Sequence, residues 1–159
     1  MGVDLLQAHF FVFFYAVFAM VTPPIGMAPI LASKIAKARY LPTAMESVKV
    51  SCAGFVLPFL IIWNPELLMQ SSGLPLPLII LRLLACAILL IAVEVLLVGH
   101  YVKDLSLWER ILLLICGTGV VLYFITETYG FLVSGFVIFL AITLVQLGRG
   151  GYLTRAGRN

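Results

Sequence analysis

Apolar residues run along this chain in long unbroken blocks, without the two-residue alternation of a half-exposed sheet. Four blocks, at 44–63, 76–98, 108–126 and 130–147, each come close to the roughly 20 apolar residues that an α-helix needs to cross a bilayer. The connections between them, "WNPELLMQSSGLPLP", "GHYVKDLS" and "TETYG", are short and carry turn-forming or charged residues. A fifth block, at 5–38, is also long enough to cross but is interrupted at 22–29 by "TPPIGMAP", which holds three prolines and a glycine.

Composition turns this pattern into a class. The 159 residues are 63% hydrophobic and 11% charged, with a mean hydropathy of +1.16. No chain of this length keeps so much apolar surface in water, so the pattern predicts an all-α integral membrane protein. Ten basic and seven acidic residues give a net charge of +3. The basic residues flank the apolar blocks and are not interleaved with aromatics, so they read as topology signals and exclude nucleic acid as a partner. Cys52, Cys86 and Cys116 fall in different spans with no pairing motif and read as small apolar residues. The opening "MGVDLLQAHFF" lacks the basic start of a cleaved signal.

Lysine and arginine placement orients the spans. Lys34, Lys37, Arg39 and Lys49 follow the first block, Lys103 and Arg110 flank the third connection, and Arg149, Arg155 and Arg158 end the chain. Placing these in the cytoplasm leaves the basic-free connections outside. The interrupted block could turn back as a re-entrant hairpin or cross as a broken helix. A start carrying only Asp4 favours a crossing. The expectation is therefore five membrane crossings with the N-terminus out and the C-terminus in. The first is a discontinuous helix at 5–38 broken at 22–29, four helices follow within 44–147, and 148–159 forms a basic cytoplasmic tail. Arg82, a turn inside its span, is expected to snorkel outward.

The break carries the most chemistry. Pro23 and Pro24 have no amide hydrogen, so the carbonyls of Ala19 and Met20 lose their helical partners. Unpaired carbonyls are costly in hydrocarbon and persist where something else satisfies them. A cation is one such partner. Thr22, with the carbonyls of Ala19, Met20 and Val21, supplies the oxygen ligands an alkali ion takes. Beyond the break, Pro24, Ile25 and Gly26 open a second half-helix whose positive end suits a carboxylate or other anion. Cation and anion sites made by one interruption are a device of secondary transporters. A proline-kinked packing helix in a small structural or assembly protein is the competing expectation, and it requires neighbouring side chains to fill the break. Glu94, the one acid deep in a span, is expected to reach the interface or pair with His100 or Lys103, and His9 to sit at an interface. No nucleophile with a base, metal cluster or phosphate loop is present, so the chain reads as no enzyme and needs no cofactor beyond the coupling ion.

These stretches also resemble a known family. "HFFVFFYAVFAMVTPPIGMAPILASKIA" and the following "PTAMESVKVSCAGFVLPFLIIWNPELL" are similar to the C-terminal part of the fused permease of tripartite ATP-independent periplasmic (TRAP) transporters, in the branch served by TAXI-type binding proteins. The likeness rests on His9, Phe11 to Phe14, Thr22-Pro23-Pro24, Ile35-Ala36, Ala53-Gly54-Phe55, Pro58-Phe59 and Asn64-Pro65. It implies an elevator-type fold of which this chain holds a part, a bacterial inner-membrane location, sodium as coupling ion and a carboxylate as substrate. As partners it implies a periplasmic solute-binding protein and the remainder of the permease, because the first repeat and both hairpins are missing here. It also implies a cation-binding role for Thr22 and its neighbours. Met20 and Pro29 depart from the family pattern.

Overall fold

The structure, a computed structural model, describes residues 2–69 and 73–150, so the basic tail beyond residue 150, with Tyr152, Arg155 and Arg158, lies outside the described residues. The described elements are helical throughout: α1 (Leu5–Phe18), α2 (Met27–Ile35), α3 (Tyr40–Trp63), a short 3-10 turn (Pro65–Leu68), α4 (Leu76–Val98), α5 (Leu107–Thr126) and α6 (Tyr129–Gly150). Four of them, α3 to α6, are long and apolar enough to cross a membrane. α1, with 14 residues, is shorter. It spans about 21 Å against the ~30 Å of a hydrocarbon core.

α3 begins at Tyr40, four residues before the apolar block that marks it in the sequence. Pro42 falls in its first turn, where a missing amide leaves no helical bond unmade. The chain divides into two compact units, Met1–Leu83 and Leu84–Asn159.

In the first unit, α1 and α2 both pack on α3. Aromatic residues at helical spacing hold α1 in place: Phe11 packs edge-on to Phe59 with ring centres 5.3 Å apart, and Phe18 lies 4.7 Å from Phe55. Phe18 covers Gly54 so closely that a β-carbon there would collide with its ring. The other anchor is polar. Gln7, only 4% exposed, donates through Nε2 to the carbonyls of Ile61 (2.8 Å) and Ile62 (3.0 Å), while its Oε1 accepts the Asp4 amide at 3.1 Å. One amide side chain thus serves the first turn of α1 and the last, otherwise donorless, turn of α3. Arg82 reaches Glu66 in the connection before α4 at 3.3 Å, so its charge goes to the end of the span, as snorkelling requires.

In the second unit, α5 and α6 form an antiparallel hairpin whose connection is residues 127–128, with Glu127 left-handed at φ 54°. Gly135 lets the helices approach, and the Cys116 thiol donates to its carbonyl at 3.1 Å. The far end closes through Glu109, which caps α5 with Ser106 and pairs with Arg149 at 2.9 Å. Ala92, Val95, Leu105, Leu113 and Ile142 make the core, and Gln146 accepts the Lys103 amide at 3.0 Å, tying the connection 99–106 to α6. Cys86 and Cys116 are buried, Cys52 is half-buried, and all three are free thiols.

Replacing Gln7 by methionine keeps its shape but strips donors from the buried Ile61 carbonyl and the partly buried Ile62 carbonyl. We expect Gln7→Met to destabilise the chain by about 1–3 kcal/mol. Thermal unfolding in detergent reads this as a lowered midpoint, with faster amide exchange at the end of α3.

Candidate functional site at the broken helix

α1 ends at Phe18, four residues before Thr22, and α2 starts at Met27, so the non-helical stretch is residues 19–26. The early ending has a local cause. The Phe18 carbonyl accepts from the amides of Val21 (3.0 Å) and Thr22 (3.1 Å) and from the Thr22 hydroxyl (3.0 Å), which closes the helix in a tightened turn before the prolines. The Pro23–Pro24 peptide is cis, and Gly26 follows at φ 24°.

Partners along α3 give the course of the segment. Gln7 meets Ile61, Tyr15 donates to Phe55, Ser47 donates to Val21, and Tyr40 donates to Pro24. The segment thus runs antiparallel to α3 from its last turn to its first. Ser47 is the eighth residue of α3, about 10 Å from its start, so the break lies beside the first turns of α3 and not its middle.

The oxygens expected to ligate a cation stand as follows. Met20 O accepts the Ala28 amide at 3.1 Å, a bond from the first turn of α2 that bypasses the prolines. Val21 O accepts the Ser47 hydroxyl at 3.1 Å, and Pro24 O accepts the Tyr40 hydroxyl at 3.2 Å. Among the described residues no hydrogen bond reaches the Ala19 carbonyl. The Thr22 hydroxyl spends its proton on Phe18, so its oxygen is free to accept. Ala19, Met20, Val21 and Thr22 are successive, and each occupied carbonyl keeps a second lone pair.

The start of α2 offers less to an anion. Its Gly26 amide donates to Thr22 O at 2.9 Å, Ala28 is committed to Met20, and Pro29, at the third helical position, has no amide hydrogen. Met27 supplies the remaining first-turn amide. Pro24 and Ile25 are exposed, while Gly26 is buried, with its α-carbon facing the Tyr40 hydroxyl and the Pro29 ring.

Beside the break, a cleft of about 330 Å³ runs between α2 and α3, with Pro29 and Ala32 on one wall and Thr43, Glu46, Ser47 and Val50 on the other. Glu46 pairs with Lys49 at 2.6 Å. Ser47 and Tyr40 are the residues the sequence did not single out. Thr43, Ser47 and Ser51 recur every fourth residue, which puts one hydroxyl stripe along α3, and that was the available signal. Elsewhere, His9 is exposed on α1, His100 pairs with Asp104 at 2.9 Å and not with Glu94, and no cluster of metal-ligating side chains occurs among the described residues.

The helices and their length make this a multi-pass membrane protein. Residues 1–72 match the family model described as Tripartite ATP-independent periplasmic transporter, DctM component. That stretch is a little under half of the chain, lies wholly in the first compact unit and contains the break. No curated protein and no solved structure matches the chain.

A β-carbon on Gly26 would sit 2.9 Å from the Tyr40 hydroxyl and 3.0 Å from the Pro29 ring, at a φ that side chains rarely adopt. We expect Gly26→Ala to cost about 1–3 kcal/mol, measured as a lowered unfolding midpoint. Gly73→Ala, at a positive φ but in open space, should cost less.

Proposed function

We propose that this chain is a segment of a TRAP-type permease, the membrane component of an ion-driven secondary transporter, and that its broken first helix contributes to the coupling-cation site. The match of residues 1–72 to the DctM component carries this reading, because the matched stretch encloses the break. The Ala19 carbonyl without a donor among the described residues, the accepting Thr22 oxygen and the second lone pairs on Met20 and Val21 support it. Sodium is the proposed ion, since neutral oxygens suit a hard monovalent cation. A carboxylate is the proposed substrate, delivered by a periplasmic solute-binding protein of TAXI type, with the remainder of an elevator-type fused permease completing the pathway. In this reading the segment 5–38 makes a fifth crossing of the bacterial inner membrane, with the N-terminus out and the C-terminus in. The substrate's charge then finds its first amide at Met27, next to Pro24, Ile25 and Gly26.

One observation favours a second reading, in which the break is a packing device of a structural or assembly protein. Three protein donors, the Ala28 amide and the hydroxyls of Ser47 and Tyr40, already occupy the carbonyls around it.

The two readings part on Thr22. In the assembled transporter under an imposed sodium gradient, Thr22→Ala should raise the half-saturating sodium concentration by on the order of tenfold or more, the worth of one bond to a charged group. Uptake whose sodium dependence matches the unmodified protein would leave the packing role.

A further inference from the structure

The second unit holds a feature that the transporter reading does not use. The part of α4 after residue 84 and α5 share the core at Ala92, Val95 and Leu113, yet part on one side to leave an open groove of about 400 Å³. Leu89, Ala92 and Leu96 line it from α4, and Leu113, Gly117 and Val121 from α5. Its walls are apolar. The one hydroxyl among them, Thr118, donates back to the carbonyls of Leu114 and Ile115 at 3.0 Å, so it has no proton to give an anionic ligand.

Charge closes one end. Arg110 precedes the lining residues Leu113, Leu114, Gly117 and Thr118 by three, four, seven and eight positions, so it continues their stripe toward the start of α5. Gly99 follows Leu96 by three on the opposite wall. The two meet, since a β-carbon on Gly99 would lie 2.8 Å from Arg110 Nη2, so the guanidinium lies over Gly99, about one turn beyond the lining residues Leu96 and Leu113. The nearby carboxylates are engaged elsewhere, Glu109 by Arg149 and Ser106, and Asp104 by His100. Arg110 makes no ion pair among the described residues and is exposed.

An apolar trough ending in an unneutralised guanidinium at headgroup depth matches one kind of molecule, an amphiphile with a hydrocarbon tail and an anionic head. We propose that this groove seats an acyl chain of an anionic phospholipid whose phosphate is taken by Arg110. A fork of guanidinium donors holds a phosphate better than a zwitterionic headgroup, whose own cation competes with it. Gly99 admits the guanidinium, and Gly117 keeps the trough deep, since a β-carbon there would touch Leu89 at 3.7 Å.

The test is native mass spectrometry of the full chain in detergent, supplied with equal amounts of palmitoyl-oleoyl phosphatidylglycerol and phosphatidylcholine. The expected result is one retained phosphatidylglycerol, preferred about fivefold, the worth of one basic residue facing an anionic lipid. Arg110→Gln should abolish the preference and Arg110→Lys should keep most of it. Gly117→Leu should reduce retention of both lipids. Circular dichroism checks that each variant keeps its helicity, and the two surface variants at Arg110 decide the outcome even if the Gly117 variant misfolds. Equal retention of both lipids by the unmodified chain, or an undiminished preference in Arg110→Gln, overturns the proposal. So does a lipid-free dimer, which would assign the groove to a helix of a second copy.

Discussion

A carbonyl in hydrocarbon has no water to turn to, and the first unit is organised around that fact. α3 ends with donorless oxygens at Ile61 and Ile62, and Gln7 on α1 reaches both. Two prolines withhold donors from Ala19 and Met20; the Ala28 amide of α2 returns one to Met20, and Ser47 and Tyr40 serve the neighbouring carbonyls of Val21 and Pro24. The packing of α1 and α2 on α3 is therefore not only apolar. Aromatic rings supply contact area, but the hydrogen bonds set register, because sliding α1 by a turn would strand several polar groups at once.

The same constraint separates what a broken helix does from what it looks like. A break whose carbonyls were all repaired would be a kink, and one with none repaired would be unstable in lipid. Here Met20, Val21 and Pro24 are repaired, the Ala19 carbonyl is left without a donor among the described residues, and Thr22 keeps an oxygen able to accept. The incomplete repair leaves unpaired oxygens in a segment that otherwise holds its own shape.

Much of the fold was legible in the sequence. Continuous apolar blocks locate α4, α5 and α6 to within three residues at every end, since the bilayer forces each backbone to pair within its own segment. α3 starts one turn before the apolar block that marks it, because Pro42 is tolerated in a first turn. At the site, the proline pair and Thr22 announce the break. Its repair depends on Ser47 and Tyr40, whose roles need the pairing of distant segments and so leave only a faint four-residue periodicity. The Ala28 amide, which closes the break from the far side, has no sequence signature, since any residue but proline carries one. Arg110 was read as a topology charge, and its seat over Gly99 follows from how the connection 99–106 folds.

The hairpin of α5 and α6 has a consequence for biosynthesis. With residues 127–128 as the whole of their connection, α6 follows α5 out of the ribosome directly, and neither can settle in lipid far from the other. Glu109, carried at the leading end of the pair, waits for Arg149 some forty residues later to arrive beside it. Until translation reaches that arginine, the carboxylate faces the headgroup layer with only Ser106 for company, so the hairpin's anchoring at that end is completed by its last-made turn.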